Sequence, residues 1–70
     1  DLDRHLRDGV TRADFDRAFR GLPREEAEAF TATELRGLTQ REAADVLGVN
    51  QATVSRRAES ARETLRKELA

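Results

Sequence analysis

The chain is 70 residues long, with 37% hydrophobic residues, three Phe as its whole aromatic content, and no Cys, Met, Trp or Tyr. It has room for one small core, and disulfide scaffolding, thiol chemistry and cysteine-ligated metal are excluded. Thirteen basic residues against fourteen acidic give a formal charge of −1, so overall charge points to no class of partner.

Ala, Leu, Arg and Glu dominate and Gly and Pro total five, a composition that predicts helix almost throughout. Residues 1–10 carry only Leu2 and Leu6 as an apolar pair before Gly9 and read as a flexible linker or remnant. His5 lies within it, with no neighbour that would make it a ligand or a catalyst. Asp1 in place of Met is what a segment cut from a longer chain would show. Residues 11–70 read as the folded domain.

Thr11 is an N-cap for a first helix over 12–20, where Phe15, Ala18, Phe19 and Leu22 form an apolar stripe. Gly21 is expected to end it in a left-handed conformation, and Pro23 to enter the first turn of a second helix over about 23–36. Glu25, Glu26 and Glu28 suit the positive end of that helix, while Ala27, Phe30, Thr31 and Leu35 are expected to share a face. Gly37 closes it. All three phenylalanines are expected in the core.

Thr39-Gln-Arg-Glu42 has the form of a capping box and starts a short third helix at Gln40. Gly48 ends it after two turns. Asn50 then caps a fourth helix from Gln51 to about Glu68, with Val54, Ala58, Ala61, Leu65 and Leu69 as its inward stripe. Two helices joined by Leu47-Gly48-Val49-Asn50 match a helix-turn-helix unit, whose second helix reads the DNA major groove. Ala44 would permit close crossing of the two helices, and Leu47, Val49 and Val54 would fix their angle. The fold class is all-α, a small four-helix domain with a C-terminal helix-turn-helix.

With Val54 inward, Ala52, Arg56 and Glu59 point outward, flanked by Gln51 and Ser55, and these five are the candidate base-reading residues. Gln51 can pair with adenine, Arg56 with guanine, and Ala52 can meet a thymine methyl. Thr39, Gln40 and Arg41 at the start of the third helix are candidates for phosphate, as is Thr53, with Arg57, Arg62 and Arg66 weaker ones. Between Gln51 and Lys67 five basic residues stand against two acidic ones, a surplus that could face phosphate. Arg57 also lies near the inward stripe, where it could instead pair with a carboxylate such as Asp45. No residues support an enzyme, a cofactor, a metal site or a small-molecule substrate, and no stretch could span a membrane.

The run GLTQREAADVLGVNQATVSRRAESARETL, from Gly37 to Leu65, resembles the promoter-reading C-terminal domain of bacterial sigma factors, region four. The likeness extends upstream through Phe15 to Leu22-Pro23-Arg-Glu-Glu26, so it covers roughly residues 12–68. The resemblance implies a cytoplasmic four-helix domain that binds double-stranded DNA at the −35 promoter element and docks on the flap of RNA polymerase, with an anti-sigma or other regulatory protein as a further partner. Ala58 and Asn50 depart from the larger apolar residue and the Ser or Thr cap usual in that family. Two alternatives stay open: a small repressor, similar to the plasmid Kor-type repressors, that binds a palindrome as a dimer, and a protein-interaction module using an apolar patch around Leu35, Leu38 and Val46.

Overall fold

The computed structural model describes Gly9 and residues 11–69. The sequence readings on 1–8, Val10 and Ala70, including Leu2, Leu6 and His5, lie outside the described residues. Four α-helices occupy the rest: α1 (Arg12–Arg20), α2 (Arg24–Phe30), α3 (Gln40–Leu47) and α4 (Gln51–Glu68). The described residues include no strand.

Side chains that satisfy free backbone N–H groups set three of the four helix starts. At α1, Thr11 Oγ1 accepts from the Asp14 N–H (3.1 Å) and Asp14 Oδ2 accepts from the Thr11 N–H (3.2 Å). At α3 the reciprocal pair is Thr39 Oγ1 with the Glu42 N–H (3.1 Å) and Glu42 Oε1 with the Thr39 N–H (2.9 Å). These bonds hold the Asp14 and Glu42 carboxyls below their ordinary values, the backbone N–H being the larger cause in each. Asn50 Oδ1 caps α4 through the Thr53 N–H at 2.8 Å.

Three expectations at α1 and α2 are corrected. Gly21 ends α1 at φ −79°, an ordinary right-handed geometry in which its N–H meets the Ala18 carbonyl and the Leu22 N–H meets the Phe19 carbonyl, both at 3.1 Å. Pro23 stands at the cap of α2 (φ −56°, ψ 144°), one residue before the helix begins. The second helix also fails to run as one regular helix to Arg36. From Thr31 to Leu35 it widens into a π-helical turn, closed by the Arg36 N–H on the Thr31 carbonyl at 2.9 Å. The extra residue in that turn rotates Leu35 off the face shared by Ala27 and Phe30 and leaves it 56% exposed.

Among the described residues every buried side chain is apolar, and all but Ala29 and Ala58 fall into two clusters along α4. Leu22, Phe30, Ala61 and Leu65 make the first, with Phe15, Ala18, Phe19, Ala27 and Leu69 packed against it. Phe30 alone of the three aromatics is fully buried; Phe15 and Phe19 are half-buried and stack at 5.9 Å between ring centroids. Ala32, Ala43, Ala44 and Val54 make the second cluster, edged by Leu38, Leu47 and Val49. The inward stripe expected for α4 is thus shared: Val54 serves the second cluster, Ala61 and Leu65 the first.

Candidate nucleic-acid interface

The second cluster fixes how α3 and α4 meet. Ala43 and Ala44 are small enough for the helices to approach closely, and Val54 fills the space between them with no exposed surface. Between the helices Gly48 takes φ 71°, ψ 31°, the left-handed conformation that L side chains resist. The Val49 N–H then reaches the Ala44 carbonyl at 3.1 Å, which tightens the stop of α3. A helix-turn-helix results, capped by Thr39 before α3 and by Asn50 before α4.

Gln51, Ala52, Arg56 and Glu59 are exposed on α4, while Ser55 and Thr53 are half-buried at the edges of that face. Arg56 has no carboxylate within ion-pair distance among the described residues; its guanidinium makes one long bond to Thr53 Oγ1, at 3.4 Å. Thr39, Gln40 and Arg41 are exposed at the opening of α3, with the Thr39 hydroxyl already committed to its cap.

The other arginines of α4 are held by carboxylates. Arg57 Nη2 lies 3.0 Å from Glu25 Oε2 on α2, so its partner is Glu25 and not Asp45. Arg62 is gripped twice, by Glu34 of the π-helical turn and by Glu59 at 2.8 Å, and the Glu34 hydrogen bond in particular raises its pKa above the ordinary value. Arg66 pairs with Glu63 at 2.9 Å. The local positive surplus of α4 is therefore largely neutralised by neighbouring carboxylates, with Arg56 the exception on the exposed N-terminal half. Sequence periodicity could place these arginines on the helix but could not supply their partners, because Glu25 and Glu34 come from segments that only the tertiary fold brings to α4.

The expected apolar patch is smaller than the sequence implies. Leu35 and Val46 are exposed, but Leu38 is half-buried against the second cluster and belongs to the core margin. Among the described residues no group of His, Cys, Asp or Glu could hold a metal ion, and no helix is long and apolar enough to cross a membrane.

Residues 12–65 match the family model described as Sigma-70, region 4. No curated protein and no solved structure matches the chain.

Proposed function

Since the chain belongs to the sigma-70 region 4 family, a non-catalytic family whose membership implies −35 promoter DNA and the RNA polymerase core as partners, we propose that α4 lies in the major groove and reads the element through Gln51, Ala52, Ser55, Arg56 and Glu59. The observation that carries this reading is Arg56. It is the arginine of the N-terminal half of α4 left without a carboxylate, and the N-terminal residues of a recognition helix are those that meet base edges. Its planar fork can bond guanine O6 and N7 together, and a good pair of this kind discriminates by about 1 to 3 kcal/mol. Arg41, with Thr39 and Gln40, serves phosphate at the opening of α3. Thr53, at the rim of α4, is a further phosphate candidate, and Arg57 and Arg62 are candidates that must first leave their carboxylate partners.

The test is selection from a pool of random duplexes with salt varied and the bound fraction sequenced. An asymmetric motif of a few base pairs, bound by one copy, is expected. A palindrome bound by a dimer would instead identify a repressor. Within the selected site Arg56→Ala should relax preference at one base pair, whereas Arg41→Ala should weaken all duplexes alike and flatten the salt dependence. Equal behaviour of the two variants would refute the assigned roles.

A second reading concerns the polymerase contact, and Leu35 and Val46 favour it, being 56% and 58% exposed although large and apolar. Docking on the polymerase flap would use them, in the cytoplasm where transcription takes place, and a regulatory partner such as an anti-sigma protein would compete by covering α4. Leu35→Ser should weaken capture by the polymerase core and leave DNA selection unchanged. Loss of DNA selection instead would remove Leu35 from the docking surface.

A further inference from the structure

Adjacent arginines of α4 have opposite situations. Arg56 is exposed and has no carboxylate, while Arg57, about 100° further round the helix, keeps only 32% of its side chain exposed and sits 3.0 Å from Glu25. A helix about 10–12 Å across in a groove about 12 Å wide turns its outward face to base edges and its flanks to the two phosphate walls. Arg57 is on such a flank, at the reading end of α4. Arg62 differs, being held by two carboxylates about 16 Å along the axis from Gln51.

We propose that Glu25 is an intramolecular competitor for DNA phosphate at Arg57, lowering the affinity of the domain for every duplex without changing which sequence it prefers. The proposal rests on the DNA-binding reading given above. Its physical basis is an exchange of anions. A phosphate that takes Arg57 must displace a carboxylate, and Glu25, fixed in the first turn of α2, is then left unpaired beside a wall of like charge. Counterion release from the DNA is offset by the cation that Glu25 must recruit, so the contact adds little affinity. Glu25 is 68% exposed at its side chain, and an exposed pair of this kind is weak enough for the exchange to be open to measurement.

The experiment is a titration of the whole chain on a random-sequence duplex and on the duplex enriched from the pool, each over a range of salt. Glu25→Gln is compared with Glu26→Gln, which removes the same charge from the next position, where the described residues offer no ion-pair partner. Relative to that control, Glu25→Gln should bind both duplexes more tightly by the same factor, up to about fivefold. Its salt dependence should steepen by about 0.9 in the logarithmic slope, one further phosphate neutralised. Adding Arg57→Gln to Glu25→Gln should return affinity and slope to the control.

Equal affinities for Glu25→Gln and Glu26→Gln would overturn the proposal and leave the DNA-binding reading intact. A gain that survives Arg57→Gln, or that appears on one duplex only, would also overturn it. Failure to enrich any sequence, with the Glu25→Gln gain still present on random duplex, would overturn the sequence-reading function alone. Absence of binding by every form of the chain would overturn both.

Discussion

Gly48 allows the turn between α3 and α4 to be tested through backbone conformation alone. A Cβ built on Gly48 meets nothing within 4 Å, so a substitution there introduces no clash, and its cost is confined to φ 71°. Holding Ala in the left-handed region costs about 1–2 kcal/mol. The unfolded chain, made less flexible by the same change, offsets about 0.4–1 kcal/mol of that. Gly48→Ala should thus destabilise by about 0.5–1.5 kcal/mol, and Gly48→Val by about 3 kcal/mol, since a β-branched residue at positive φ is a true outlier. Asn tolerates this conformation, and Gly48→Asn should fall nearest to the parent. At about 4–8 °C per kcal/mol for a domain of this size, thermal melts followed by circular dichroism resolve the series. Gly21→Ala is the internal contrast: at φ −79° its Cβ would make ordinary contact with the Ala18 carbonyl at 3.4 Å, so the melting point should rise or stay constant. Equal shifts at Gly21 and Gly48, or a Gly48→Val melt matching the parent, would refute the conformational argument.

Three further outcomes follow from the packing and the caps. Phe30→Ala should cost about 3–5 kcal/mol, a large part of the roughly 4–10 kcal/mol available to 70 residues, so its melt should be shallow or absent, whereas Phe15→Ala, at a half-buried position, should still melt cooperatively. Asn50→Ala should destabilise by about 1 kcal/mol through loss of the α4 cap, read as a lower urea midpoint. The Glu42 carboxyl, lowered from its ordinary 4.5 by the Thr39 backbone N–H, stabilises the fold fully above that value. The contribution is lost as pH falls through the lowered folded value, because the unfolded chain takes up the proton first. Glu42→Gln keeps a capping side chain and removes the titration, so acid melts of the parent should converge on those of the variant below pH 4.5, and parallel curves would exclude the linkage.

The sequence carries its clearest information where a local interaction closes on itself. Thr39 with Glu42, Asn50 with Thr53 and Gly48 at the turn are decided within a few residues, and the bounds of α1, α3 and α4 emerge from sequence and structure alike. The π-helical turn has no such local signature. Thr31-Ala-Thr-Glu-Leu35 is an ordinary helical string, and its widening accompanies the Leu38 N–H reaching back to the Ala32 carbonyl at 3.0 Å, while Ala32 is itself buried against α3 and α4. Helical periodicity places Leu35 on the buried face, and the extra residue interrupts that periodicity. Gly21 fails in the opposite sense: glycine permits the left-handed stop, but the chain into Leu22, which must enter the core at 7% exposure, follows a right-handed path. In the candidate site, exposure of Gln51, Ala52, Arg56 and Glu59 was legible from the inward stripe, whereas the ion pairs that occupy Arg57 and Arg62 join distant segments and were not.

The division of α4 between two clusters bears on how the site would hold its shape. Its N-terminal half touches the rest of the protein through Val54 and the small residues Ala43 and Ala44, which permit a close approach but bury little area. The C-terminal half carries Ala61 and Leu65 into the cluster of Phe30 and Leu22, where most of the large apolar surface is buried. The large apolar contacts and the candidate reading residues thus lie toward opposite ends of one helix. Glu34, gripping Arg62 between them, ties the helix to the π-helical turn, and Glu25, gripping Arg57, ties it to the start of α2. Arg57 and Arg62 are about 140° apart around the helix, so the two pairs face different elements, α2 and the π-helical turn, and both are partly exposed. Arg56 has no carboxylate partner among the described residues, and the helix that carries it is held by the apolar contacts of Val54, Ala61 and Leu65.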